Sequence, residues 1–464
     1  MLYNFFKAMS YNVINIFLYK IILQTHQLLL FSIIPSQLFG LIGTLFSSIY
    51  FLISVTNIGF DYFIITHHNI YTASQKNFKK LIPLFFARLV CMIMVIILLW
   101  YINRHILLCP VANIIEHTTP LLLAIIIFIF ISESIKKSLD VLAQMLFLQK
   151  TISIFDISTL IIYVSSVWSC YCLFGQISLL TIFIPMAIIS FAECCLLAQT
   201  IYKFYTRIPV EDSKSIIPSF KEIIGNQIIN YINQIAKALF SPNFFIIVLA
   251  CYLGLAKVGQ IKLFTDIIVL LYMVLNRSFG LPTAALFSSI AKQTTIDKDQ
   301  EKISISQQTF VRVITWYTQF LYALGITIGS IVISCLCINL CFSSAVIFNI
   351  ILFIFAGFIE YLVIAYEKWY LTQRKSWILA IANGINLAMY GLLFLCMHFV
   401  IHIPAEFILI PIILFRLCFI ISIMYIAHRI WGIVISWRIR MLTIGISSLV
   451  SLMIYIINYY ILVL

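Results

Sequence analysis

Long apolar runs follow one another along almost the whole chain, and they restrict its fold more than any other feature. A helix needs about 20 residues to cross a bilayer, and thirteen runs can be assigned on that basis. The runs lie approximately at residues 12–36, 38–64, 81–102, 120–148, 152–174, 178–203, 223–252, 258–288, 309–337, 344–370, 376–400, 404–428 and 441–463. Only 10% of the residues are charged, against about a quarter in soluble domains. The sequence therefore predicts an all-α polytopic membrane protein.

Basic residues fall mainly in alternate connections between these runs. The connections after even-numbered runs contain or border Lys76, Lys79, Lys80, Lys150, Lys203, Arg207, Lys214, Lys221, Lys292, Lys298, Lys302, Lys368, Arg374, Lys375, Arg429, Arg438 and Arg440. The odd-numbered connections hold only Arg104 and Lys257. Because cytoplasmic loops are rich in Lys and Arg, we expect a multi-pass membrane protein with a cytoplasmic N-terminus. The net charge of +13 then reflects topology, and no nucleic-acid partner is predicted.

Runs 1–6 and runs 7–12 share one layout, which indicates two parallel repeats related by an axis along the membrane normal. In each half the longest basic connection follows the second run, and a basic turn follows the fourth. The first run lacks a small-residue cleavage site, so it is predicted to be a span rather than a signal peptide. The predicted domains are an N-lobe at 1–203, a cytoplasmic joint at 204–222, a C-lobe at 223–430 and an extra C-terminal span at 431–464.

The stretch from Ser219 to Gly259 opens the second repeat and carries unusual polar residues. Ser219 followed by Glu222 is a capping box that predicts a helix start. Polar residues then recur at helical spacing on one face of an apolar helix; they are Asn226, Asn230, Asn233, Gln234 and Lys237. Such a face cannot contact lipid and must meet other helices or water. Pro242 predicts a kink directly beyond it.

Four cations lie well inside predicted spans, where an unpaired charge is costly. They are Lys20, Lys237, Arg277 and Arg416. One interpretation is that they bind an anionic cargo, because ammonium and guanidinium groups bind phosphate through charge-assisted bonds. The alternative is pairing with the buried acids Asp61, Asp156, Glu193, Asp266 and Glu360. A further group, Glu133, Lys136, Lys137 and Asp140, has the spacing for pairing within a single helix.

No enzyme constellation is present in the sequence. It contains no Walker A loop, no G-x-G-x-x-G and no H-E-x-x-H motif. The 12 cysteines lack the spacing of a zinc site, so no metal, cofactor or catalytic residue is predicted. A membrane glycosyl polymerase or ligase is the enzymatic alternative, but the longest outer connection, 103–119, is short for such chemistry.

Two hairpins resemble those of the polysaccharide-export flippases, which belong to the multidrug/oligosaccharidyl-lipid/polysaccharide exporter superfamily. The first reads Leu38-Phe39-Gly40-Leu41-Ile42-Gly43 and continues to Asn57-Ile58-Gly59-Phe60-Asp61. The second reads Leu253-Gly254-Leu255-Ala256-Lys257-Val258-Gly259 and continues to Asn276-Arg277-Ser278-Phe279-Gly280. The resemblance covers about residues 10–430. It implies a V-shaped two-lobe transporter that works by alternating access. The thirteenth span departs from the pattern, since these exporters commonly have twelve or fourteen.

The resemblance implies a flippase for a polyprenyl-diphosphate-linked oligosaccharide or a similar lipid-linked sugar. A drug/cation antiporter of the same superfamily, a lipid II flippase and a non-transporting scaffold are the alternatives. The partners expected are that lipid-linked sugar, membrane lipid, and a polysaccharide polymerase or glycosyltransferases. Transport would be secondary, since no nucleotide site is present.

Runs 1 and 7 are predicted to line the central cavity, with Lys20 and Lys237 approaching each other near midplane. The residues predicted to bind substrate there are Lys20, Asn226, Asn230, Asn233, Lys237, Arg277 and Arg416. The residues predicted as candidates for ion coupling are Asp61, Asp156, Asp266 and Glu360.

Overall fold

The computed structural model describes residues 2–57, 75–79, 120–146, 148–207, 220–263, 375–396 and 409–431, with scattered positions within 82–94 and 266–371. All regular structure in these parts is helical. The helices are α1 (Leu2–Ile33), α2 (Ser36–Thr56), α3 (Gln75–Lys79), α4 (Pro120–Met145), α5 (Gln149–Phe174), α6 (Leu179–Tyr205), α7 (Phe220–Leu239), α8 (Pro242–Leu253), α9 (Ser376–Cys396) and α10 (Leu409–Trp431).

Several described helices have the length and apolar character of membrane spans. Ser36–Thr56, Lys150–Phe174 and Leu179–Tyr205 each qualify alone. The pair Ile228–Leu239 and Asn243–Ala250 counts as a fourth span if the two helices are taken together. These four coincide with the predicted runs 2, 5, 6 and 7. The extra C-terminal run and most of runs 3, 8, 9 and 10 fall outside the described residues, so the total of thirteen stays a prediction.

Local sequence signals explain where the hairpin of α5 and α6 turns. α5 ends at Gly175, which adopts a left-handed φ of 69° and donates its backbone N–H to the Tyr171 carbonyl. A residue with a Cβ is strained in that conformation. Ser178 then caps α6 in a capping box with Thr181, which satisfies backbone donors at the helix start.

The chain divides into two compact units, Met1–Gly259 and Gln260–Leu464. In the first unit α4 packs extensively against α6, α1 packs against α5, and α5 packs against α6. α7 and α8, which the sequence assigns to the C-lobe, pack against α2 in this same unit. In the second unit α9 packs against α10. The lobe limits expected from the sequence stay a prediction.

α2 and α8 pack against each other in antiparallel directions, and the backbone at the start of α2 comes very close to the segment after α8. Phe51 of α2 stacks on Phe244 of α8 with ring centroids 5.2 Å apart. Beyond Leu253, a Cβ on Gly40 would overlap the Leu255 carbonyl oxygen, and a Cβ on Gly259 would lie 2.5 Å from the Ser36 carbonyl oxygen. Both glycines come from the hairpin motifs in the sequence. Their role in those motifs is therefore to let two backbones touch.

Candidate functional site

Seven polar side chains from four helices meet inside the first unit. We refer to them as the carboxylate cluster: Asn15, Glu133, Lys136, Asp156, Thr159, Ser190 and Glu193. α1 supplies the asparagine, α4 the lysine and one glutamate, and α5 and α6 supply two residues each. All except Lys136 are classed as buried, and Glu193 is only 4% exposed.

The geometry of the cluster is set by one ammonium group between two carboxylates. The Lys136 ammonium forms an ion pair with Glu193 and lies 3.6 Å from a carboxylate oxygen of Glu133. The Ser190 hydroxyl donates to Glu133 Oε1 at 2.6 Å, and the Thr159 hydroxyl donates to Glu193 Oε1 at 2.6 Å. Hydrogen bonds of this kind to a charged acceptor are short and strong. Each glutamate is therefore held by groups from more than one helix.

Asp156 completes the cluster next to α1. Its Oδ2 accepts from Asn15 Nδ2 at 3.4 Å, and it lies one helical turn from Thr159. Glu133 and Glu193 bring two carboxylates to the Lys136 ammonium group, and Asp156 adds a third carboxylate to the region. A carboxyl group can accept a proton, so this region has the chemistry to hold one. Within the described parts of the chain, no three His, Cys, Asp or Glu side chains are arranged to hold a metal ion.

The structure confirms one predicted pair in the charged group on α4 and adds partners from other helices. The predicted pair between Glu133 and Lys136 is present, but Lys136 also pairs with Glu193 of α6, and more closely. Lys137 donates to the Ser54 hydroxyl of α2 at 3.5 Å. The predicted pair within α4 is therefore confirmed, and Glu193 of α6 is an additional partner of Lys136. The sequence feature that indicates this contact between helices is Glu193, because a carboxylate within an apolar run needs a partner from another helix.

The second polar region is the amide stripe on α7, formed by Asn230, Asn233, Gln234 and Lys237. The three amides are buried, with Asn230 only 2% exposed, and Lys237 is half-buried. In the described part of the structure, Asn230 Oδ1 is buried without a hydrogen-bond donor. The helix begins at Phe220, next to Ser219, so the predicted helix start is confirmed. Ser219 and the side chains of Glu222 and Asn226 lie outside the described residues.

The amide stripe ends at a break in the helix, as predicted from Pro242. α7 and α8 meet at an angle of 51°. Pro242 occupies the first turn of α8, and Ser241 caps that helix by accepting from the Phe244 N–H at 3.4 Å. Proline is suited to this position because its missing N–H has no partner there in any case. At the kink, α7 ends and a new helix with its own N-cap begins directly after it.

Three of the remaining predicted site residues lie in the described part of the chain and are buried, and three lie outside it. Lys20 lies buried on α1, at 4% exposure. Arg416 of α10 is buried, donates to Asn383 Oδ1 of α9 at 3.3 Å, and places its guanidinium over the Phe419 ring at 4.5 Å. Asp266 is buried and pairs with Lys262 one turn before it. Residues outside the described part are Asp61, Arg277 and Glu360.

Comparisons with known proteins place the fold. No protein-family model matches the sequence, and no curated protein matches it. Among solved structures, a point mutant of the MATE transporter VcmN from Vibrio cholerae is similar, with a TM-score of 0.52 and 11% identity. The match covers 92% of this chain and 95% of that chain.

Two further structures are similar at the same level. The eukaryotic MATE transporter AtDTX14 has a TM-score of 0.56 at 15% identity, covering 92% of this chain and 96% of that chain. A MOP superfamily transporter from Pyrococcus furiosus has a TM-score of 0.57 at 11% identity, with the same two coverages. The chain therefore has the polytopic helical fold of MATE and MOP superfamily transporters, which confirms the fold class predicted from its sequence.

Proposed function

We propose that this chain is a secondary transporter that flips a polyprenyl-diphosphate-linked oligosaccharide, or a similar lipid-linked sugar, across the bacterial inner membrane. The observation that carries the proposal is the amide stripe on α7, which combines buried amides with Lys237 next to a break in the helix. Amides are suited to sugar hydroxyl groups, and an ammonium group is suited to a diphosphate. A helix interrupted at membrane depth is typical of transporter substrate sites.

The placement of the other cations supports an anionic cargo. Lys20 is buried in α1, and Arg416 is buried in α10 on an amide oxygen and an aromatic ring. The Pyrococcus furiosus transporter is described by a reverse polarity of its binding pocket that suggests a different function. On this fold, transporters whose binding pockets differ in polarity can therefore be expected to carry different substrates. In the mechanism we propose, the diphosphate binds Lys237 and Lys20.

The carboxylate cluster supports a role in coupling. Three carboxylates and one ammonium group in a buried region can exchange a proton, and Asp156 was predicted as a coupling residue on sequence alone. We propose that proton entry at the cluster favours one open state, because a proton bound to a carboxylate changes the charge of the cluster. The same cluster favours the second candidate, a drug/cation antiporter, since such a protein also needs an ion site.

A transport assay separates the candidates. Purified full-length protein in proteoliposomes would be given a fluorescent polyprenyl-diphosphate oligosaccharide, lipid II or the organic cation ethidium, each with an imposed pH gradient. We expect the oligosaccharide lipid to reach the opposite leaflet faster than in protein-free vesicles, with no uptake of ethidium. Uptake of ethidium without lipid movement would support the antiporter, and movement of lipid II alone would support a lipid II flippase.

A further inference from the structure

α1 carries two separate polar faces, and they differ in the residues that they contain. Asn15, Tyr19 and His26 share the first face. Asn15 donates to Asp156 of α5, and His26 accepts from Trp168 Nε1 at 3.1 Å and packs edge-on against Tyr163. This first face therefore belongs to the packing of α1 on α5.

The second face contains Lys20, Gln24 and Gln27, which recur at four- and three-residue spacing. At 3.6 residues per turn it lies about a third of a turn from the first face. It continues to Phe31, whose ring packs edge-on against Phe39 of α2 at 5.3 Å. The second face therefore lies to one side of the contact with α5, and at the end of α1 it adjoins α2.

Gln24 is the informative residue of the second face. Both polar atoms of its side chain are buried, and neither has a hydrogen-bond partner in the described part of the chain. A buried amide without a partner is costly and uncommon in a folded protein. In a membrane helix lipid cannot satisfy it. Such a group therefore indicates a place where something other than protein or lipid supplies the missing donor and acceptor.

We propose that Gln24 is a specificity-determining residue that binds hydroxyl groups of the sugar joined to the diphosphate. This rests on the proposed function. A hydroxyl group is both donor and acceptor, as the glutamine amide is. Gln24 lies about 6 Å along the helix from Lys20, at 1.5 Å per residue. A diphosphate bound by Lys20 would bring the first sugar next to it into reach of Gln24, and Gln27 lies one turn further along.

The test compares two cargo lipids on the same protein. Binding of a glycosylated polyprenyl diphosphate and of the bare polyprenyl diphosphate is measured for wild type, Gln24→Met and Gln24→Leu. We expect wild type to prefer the glycosylated lipid by about tenfold, the order expected for one or two hydrogen bonds. Both variants should lose that preference and keep the affinity for the bare lipid. Leu28→Ala, one turn away at a 54% exposed position, serves as the control and should bind as wild type does.

The outcomes separate this inference from the proposed function. If wild type binds neither lipid, the proposed function fails. If wild type prefers the glycosylated lipid and both variants keep that preference, Gln24 does not read the sugar, although the flippase function stands. The melting temperature of each variant is recorded as well. It should not fall, because removal of an unpartnered amide breaks no hydrogen bond of the protein, and a marked fall would show a structural role instead.

Discussion

The carboxylate cluster and the amide stripe are both polar regions within the first unit, but they differ in the groups that they bring together. In the cluster, Lys136, Glu133 and Glu193 bind one another or hydroxyl groups across helices. In the stripe, Asn230 keeps a buried oxygen without a donor in the described part of the chain, and the helix ends beside Lys237. The difference is that the cluster joins four helices through charged groups, while the stripe lines amides and one ammonium group along a single helix that ends in a break.

The largest effect on folding is expected from Lys136→Met. This change leaves Glu133 and Glu193 buried without their ammonium partner, and breaking a buried ion pair in this way costs about 3–5 kcal/mol. We expect little folded protein at neutral pH, measured by thermal unfolding in detergent.

Lys137→Met is the matched control for Lys136→Met. Lys137 is the next residue on α4, and its ammonium group donates to Ser54 at the long distance of 3.5 Å. The control should unfold at a temperature closer to that of wild type. If the two variants were equally stable, the cluster would not join the helices as described.

A smaller effect is expected from Thr159→Val, which keeps the shape of the side chain and removes its hydroxyl group. The lost hydrogen bond to Glu193 should cost about 1–3 kcal/mol, the usual range when a buried charged group loses a donor. Thr200→Val is the control, because the Thr200 hydroxyl donates only to the Leu196 carbonyl in the same helix among the bonds described. Equal unfolding free energies for the two variants would argue against a stabilising role for Thr159.

The sequence could predict what depends on neighbouring residues along the chain. The apolar runs predicted the helices, Pro242 predicted the break between α7 and α8, and the spacing of Asn230, Asn233 and Lys237 predicted one polar face. Each of these follows from helix geometry or backbone chemistry alone.

The sequence could not predict contacts that depend on which helices become neighbours. The spacing of Glu133 and Lys136 favoured a pair within α4, and only the packing of α4 on α6 places Glu193 beside Lys136. Gly40 could be recognised as part of a hairpin motif. Only the fold shows why glycine is needed there: the backbone of the segment after α8 lies directly against Gly40.

The most direct test of this account is transport of the oligosaccharide lipid by Lys237→Gln. Lys237 is half-buried at the end of the amide stripe, and glutamine keeps a polar group there while removing the charge that would bind the diphosphate. Lys257→Gln, at an exposed position, is the control. We predict that Lys237→Gln abolishes translocation at near-normal protein abundance, while Lys257→Gln transports as wild type does. Normal transport by Lys237→Gln, or a loss of folded protein that explains its lack of transport, would contradict the account.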